Sequence, residues 1–323
     1  MLRTRLTEAL GLRHPVISAP MALAAGGRLA AAVSRAGGLG MIGGGYADPD
    51  WTAREFSEAG NEGVGCGFIT WSLADHPEAL EIALSRAPRA LFLSFGDPAA
   101  FAPAIHAAGV PLICQVQTLA DARAALDAGA AVLVAQGAEA GGHGERRATM
   151  TLVPEVADLL ASRAPEVLLC AAGGIADGRG LAAVLSLGAD GAVIGTRFWA
   201  SEECLAAPGL KQAALAASGD DTLRTKTVDV VRGRDWPERF DIRVIRNAFT
   251  DRWHDDLAGL KAQAAPIAEA WGQAAAAGDA ALANPIVGEA TGLLHDLPPA
   301  AEILERLIAE TEAVLSRTAA LRV

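Results

Sequence analysis

Through the first two-thirds of the chain, short unbroken apolar runs alternate with stretches of helical period. The runs predict strands at 15–19, 39–42, 64–70, 90–95, 111–117, 131–136, 167–172 and 191–195. The stretches between them predict helices at 27–36, 50–59, 77–86, 98–108, 119–128, 154–163 and 178–187. A strand with one wet face alternates apolar and polar positions. These runs do not, as expected of a parallel sheet covered on both faces. Helical stretches close on Gly37, Gly109, Gly129 and Gly188, the residue type that supplies a left-handed helix stop before the next strand. Eight strand–helix units within about 200 residues predict an α/β fold, a closed TIM-type (β/α)8 barrel.

Beyond position 208 the pattern breaks. Charged helical segments and an Ala-rich run at 262–283 predict a mostly helical insertion after the eighth strand. The tail at 298–321 has apolar residues at helical spacing, which predicts an amphipathic helix packed back on the barrel. The expected organisation is a barrel over 1–208, an insertion lobe over 209–288 and a closing segment over 289–323. The glycines at 37–45 lack the GxGxxG order of a dinucleotide-binding open sheet.

Composition narrows the function. Hydrophobic residues make up 51% of the 323, enough for a large core, and the net charge is −11. An acidic chain disfavours nucleic acid or an anionic membrane as partner. Its densest basic cluster, Arg232, Arg234, Arg239, Arg243 and Arg246, is interleaved with acids, predicting a salt-bridged, solvated face. The N-terminus is too polar for a signal peptide, and no apolar run approaches the ~20 residues of a membrane span. Cys66, Cys114, Cys170 and Cys204 show no CxxC spacing, so buried free thiols in a reducing cytoplasm are expected, with no metal site.

The candidate chemistry clusters around 132–143, VLVAQGAEAGGH: a buried strand that ends in glycines and a histidine. Barrel active sites lie at the C-terminal strand ends. That selects 19–22, 43–46, 67–71, 115–118, 136–143, 172–175 and 195–196. Gly173-Gly174 and Gly195-Thr196 follow the last two strands, where freed backbone N–H groups can hold a phosphate; either pair could equally be a tight turn. Gln115 and Gln136 end neighbouring strands, and an amide matches the donor–acceptor edge of a heterocycle; a polar rim residue is the alternative. His143 could remove a proton from a carbon acid or simply hydrogen-bond its loop. Met21 and Trp71 could wall a pocket or only pack. Glu139 is read as a turn cap and Trp199 as helix packing.

Several motifs together resemble the nitronate monooxygenase family: PVISAPM at 15–21, AGGLGMIGGG at 36–45, VAQGAEAGGHG at 134–144, AAGGIADGRGLAAVLSLGADGAVIGTRF at 171–198 and GEATGLLHD at 288–296. The resemblance implies a non-covalent flavin mononucleotide (FMN) in a TIM-type barrel. It also implies oxidation of alkyl nitronates by O2 to carbonyl compound and nitrite. It places Ala19, Pro20, Met21 and Ala22 against the flavin ring, and Gly67, Gln115, Gln136 and Gly137 among the cofactor contacts. Gly141 and Gly142 would pass close to it, Gly173, Gly174, Gly195 and Thr196 would hold its phosphate, and His143 would be the catalytic histidine. A homo-oligomer is compatible with the resemblance.

Two departures stand out. Gly65-Cys66-Gly67 replaces an Asn-bearing motif, and Ile113-Cys114-Gln115 replaces a strand that carries a second histidine in some relatives. His143 is therefore expected to stand alone as a base, which bears on neutral nitroalkanes more than on preformed nitronates. The flavin-dependent enoyl-acyl-carrier-protein reductases, which use NAD(P)H, share GGH and TMTLV (149–153). A non-flavin phosphate-binding barrel is the reading from another class.

Overall fold

The computed structural model describes residues 2–321. Its strands are β1 Val16–Ser18, β2 Met41–Gly45, β3 Gly65–Ile69, β4 Leu91–Ser94, β5 Leu112–Val116, β6 Val132–Gln136, β7 Gly142–Gly144, β8 Leu168–Ala172, β9 Gly191–Ile194, β10 Thr222–Thr225 and β11 Asp241–Ile245. Eight of them pair in parallel in the order β1-β9-β8-β6-β5-β4-β3-β2. A parallel bridge from Ile17 to Leu39 joins β1 to β2 and closes the barrel. All eight expected strands are present, most of them shortened by one or two residues at an end.

The continuous apolar runs have two destinations. Ile17, Met41, Phe92, Ile113, Val134 and Cys170 point inward and fill the barrel. Their neighbours, such as Val16, Ile42, Leu91, Leu133 and Leu169, point outward and pack under the helices. A helix the sequence did not reveal, Arg5–Leu10, puts Leu6 into the inner cluster. All four cysteines are buried and free, and burial pushes the Cys66 and Cys114 thiols up to about 12.

The tail forms the helix Ala300–Ala319, which packs on the helices Gly178–Ser186 and Gly27–Arg35. Ile303, Leu304, Leu307 and Ile308 form its buried stripe; each contributes roughly 1.5–3 kcal/mol by burial. A Cβ at Gly178 would strike the Thr311 backbone nitrogen, so the glycine permits this approach. The helix expected at 154–163 begins earlier, as Thr149–Arg163. The Glu139 carboxylate, from the preceding loop, accepts from the Thr149 N–H at 3.1 Å and its hydroxyl at 2.8 Å. That supplies the helix start, so Pro154 lies inside the helix, not at its first position.

Residues 208–288 are mostly helical but not wholly so. β10 and β11 form an antiparallel sheet with β7, in which Ile242 lies opposite His143 and Arg243 opposite Gly142. The sequence did not reveal these strands. TLRT and DIRVI are short and charged, and in β11 only one face is fully buried. Through this sheet the lobe reaches the barrel mouth.

Candidate active site

A cavity opens at the C-terminal ends of the barrel strands. Of the fifteen residues expected at a site, every one except Gly137 lines it. Gly137 lies behind the wall. A Cβ there would strike the Thr149 hydroxyl, so its glycine serves the turn into the helix Thr149–Arg163. Gly67 lines the cavity, yet a Cβ on it would lie 2.5 Å from Pro20, so contact between the first and third strand ends already requires glycine there.

The two glutamines differ. Gln136 accepts from the Gln117 amide at 2.9 Å and donates to the His143 carbonyl at 3.1 Å. Both halves of its amide therefore hold protein, and it fixes β7 more than it offers an edge to a ligand. The Gln115 Nε2 is buried and has no partner. An unsatisfied buried donor costs about 1–3 kcal/mol, and an acceptor in the cavity would remove that cost.

Beyond β8, Gly173 and Gly174 have φ of +104° and +74°. Among the described residues, nothing accepts their N–H groups. Thr196 accepts from the Gly288 N–H at 2.9 Å, which leaves its own hydroxyl proton free to donate. This corner consists of backbone donors and one hydroxyl.

The opposite side belongs to His143, which is buried in β7 and not in an open loop. It does not stand alone. Its Nε2 lies 2.9 and 3.1 Å from the two carboxylate oxygens of Asp229, also buried, on the helix Thr227–Val231. A carboxylate can only accept, so Nε2 carries the proton and Nδ1 keeps its lone pair. Desolvation holds the imidazole below its ordinary 6.5, with Asp229 pulling the other way, so it is neutral at physiological pH. The Trp236 ring stacks on it, centroids 3.3 Å apart and planes 8° from parallel.

Trp236 also anchors an aromatic cluster with Tyr46, Trp71, Phe95 and Phe240. Its Nε1 donates to the Tyr46 hydroxyl at 3.0 Å. Met21 lines the main cavity as expected, whereas Trp71 lines an adjoining pocket. Trp199 is buried, as expected, but also reaches the cavity wall.

The expected salt-bridged arginine face is present in part. Arg239 pairs with Asp121 at 2.7 Å and with Glu145, Arg243 with Glu289 at 2.8 Å, and Arg246 with Asp251 at 2.8 Å. Arg232 and Arg234 instead lie over the Tyr46 ring, 5.5 and 4.0 Å from its centroid. No group of His, Cys, Asp and Glu among the described residues could hold a metal, and no described helix is long and apolar enough to cross a membrane.

A parallel barrel with a neutral, carboxylate-held imidazole and a corner of backbone donors at its mouth is the arrangement of a barrel enzyme. Relatives make that class specific. The family model for nitronate monooxygenase matches residues 3–61 and 70–310, and the chain belongs to this family. A nitronate monooxygenase of Neurospora crassa is 35% identical over 93% of this chain and 90% of its own length. Among solved structures, FabK from Thermotoga maritima superposes with a TM-score of 0.87 at 31% identity, covering 99% of this chain and 100% of that one. A nitroalkane oxidase from Streptomyces ansochromogenes superposes at 0.80 with 26% identity, covering 97% and 99%.

Proposed function

We propose that this enzyme binds FMN in the barrel mouth and uses O2 to oxidise alkyl nitronates to carbonyl compound and nitrite. The convergence of Gln115, Gly173, Gly174 and His143 on one cavity, in a chain of this family, carries the reading. The residues fit the cofactor. The unpaired Gln115 amide matches a heterocycle edge, and the N–H groups of Gly173 and Gly174 with the Thr196 hydroxyl match a phosphate. When bound, the flavin supplies the electron transfer between substrate and oxygen.

The protein's own part is positioning and proton handling. Asp229 holds the His143 ring by Nε2. Burial keeps Nδ1 unprotonated, ready to accept the α-proton of a neutral nitroalkane. A preformed nitronate needs no such step. Largely apolar walls, with Met21 on one side, would surround the reacting carbon.

The purified protein should carry flavin absorbance and release nitrite from the nitronate of 1-nitropropane. Absence of flavin would leave the phosphate-barrel reading standing. The likeness to FabK supports a second reading, FMN-dependent reduction of an enoyl thioester. NAD(P)H consumption with such a substrate, without nitrite release from nitronates, would select it.

A further inference from the structure

Between the helix Thr227–Val231 and β11, residues 233–240 run over the barrel mouth without regular structure. Trp236 and Phe240 are buried, and the residues around them are exposed. Trp236 plugs the main cavity, while Pro237, Arg239 and Phe240 line the adjoining pocket. We propose that this segment is a lid over the active site, latched shut by Arg239, and that the latch positions Trp236 against His143.

The backbone of the segment is weakly held. No backbone carbonyl among the described residues accepts from the N–H groups of Asp235, Trp236, Glu238 or Arg239. Sparse backbone hydrogen bonding and high exposure mark a stretch of low local stability. Gly233 enters it at φ +60°, with open space where a Cβ would stand. Glycine takes that conformation without strain, and lids turn on a few such positions at the ends of elements.

Side chains hold the segment down instead. Trp236 stacks on His143 and donates to Tyr46. Lys226 Nζ donates to the Glu238 carbonyl at 2.9 Å. Arg239 donates to Asp121 at 2.7 Å and to Glu145. These two carboxylates sit on separate, fixed elements. Asp121 caps the helix Leu119–Asp127, accepting from the Thr118 N–H at 3.0 Å. Glu145 follows β7, two positions after His143. One guanidinium therefore ties the segment both to a barrel helix and to the strand that carries the imidazole. The Arg239 side chain is 45% exposed, and ion pairs of that kind are weak enough to release. The alternative is a fixed wall, in which Arg239 adds only stability. A wall opens with the barrel, whereas a lid opens by itself.

The experiment follows hydrogen exchange of the indole N–H groups by NMR in the wild type, Arg239→Gln and Arg239→Lys. Trp236→Phe assigns the Trp236 signal. Trp271, whose indole bonds Asn284 in the helical lobe, is the internal control. In Arg239→Gln the Trp236 N–H should exchange about 2- to 5-fold faster, the scale of a partly exposed ion pair, with Trp271 unchanged. Arg239→Lys should recover part of the protection. Raising NaCl from about 0.05 to about 0.5 M should speed Trp236 exchange in the wild type and not in Arg239→Gln, because salt screens exposed pairs. Equal exchange in all three proteins overturns the latch. Trp236 exchange at no more than the rate of global unfolding overturns the lid.

A second variant, Trp236→Ala, removes the plug and keeps the latch. Burial depresses the His143 pKa, so the NMR titration midpoint should rise towards 6.5; Asp229, Arg232 and Arg224, which also act on the ring, remain in place. A midpoint that does not move removes Trp236, and with it the latch, from any influence on the imidazole. None of these readouts needs turnover, so they decide the lid separately from the nitronate reading.

Discussion

The two sides of the barrel mouth are made differently. The corner at Gly173, Gly174, Gly195 and Thr196 consists of turns that directly follow β8 and β9. Each turn is local, and its chemistry is backbone N–H plus one hydroxyl. The side holding His143 is assembled from afar. Asp229 lies 86 positions away along the chain, and Trp236 bonds Tyr46 across 190. Local turns fix where a ligand can be gripped. The distant lobe determines the state of the ionisable group beside it. A substitution on one side should therefore alter binding, and on the other reactivity.

The largest expected effect tests the reactive side. His143→Asn should lower turnover of neutral nitroalkanes by ~10²-fold or more, the scale of general base catalysis, and leave flavin content intact. Unchanged turnover would remove the imidazole from the chemistry. Next, Gly173→Ala forces a side chain into φ of +104°, with its Cβ 2.9 Å from the Gly137 carbonyl oxygen. Strain of about 1–3 kcal/mol should weaken flavin binding by roughly 5- to 100-fold in a titration of the apoprotein. Retained affinity would show that this corner does not grip the cofactor.

Asp229→Asn should lower turnover of neutral nitroalkanes by ~10-fold, less than loss of the imidazole itself, because the base remains but is no longer held by a carboxylate. Asp229 raises the His143 pKa, so its removal should also move the acid limb of the pH profile lower. A limb that stays in place would separate Asp229 from the base. The same pKa couples to stability. The folded imidazole sits below 6.5 because of burial, so below that pH the unfolded chain binds a proton the folded one resists. The His143 contribution is whole above 6.5 and is lost as pH falls. Urea midpoints of the wild type and His143→Asn should therefore converge or cross between about pH 7.5 and about pH 5.5; a constant difference would refute the depressed pKa. The smallest effect belongs to Glu139→Gln, which weakens the cap on the helix Thr149–Arg163 and should cost about 1 kcal/mol, read as a lower urea midpoint.

Legibility in the sequence follows the same division. The barrel strands were readable because each is a local apolar run, and the strand-end turns because glycine marks them. β10 and β11 were not, since their charged residues obscure a half-buried alternation. Asp229 and Trp236 carried no local signal, because only folding brings them to His143. Gly137 shows a subtler limit. A missing side chain reads the same whether the neighbour is a ligand or, as here, Thr149. Gln136 lines the cavity, but its engagement with Gln117 and the His143 carbonyl depends on contacts that spacing does not encode.

β7 is three residues long, with His143 at its centre and opposite Ile242. Side chains on a strand alternate between faces, so a slip of this pairing by one position would turn the imidazole away from the mouth. The lobe thus sets the aim of the ring as well as its partner. A graft of the barrel without residues 208–288 would keep the gripping turns and lose the base's orientation. Diversification of that segment among related barrels would then be a way to retune reactivity while the cofactor cradle stays the same.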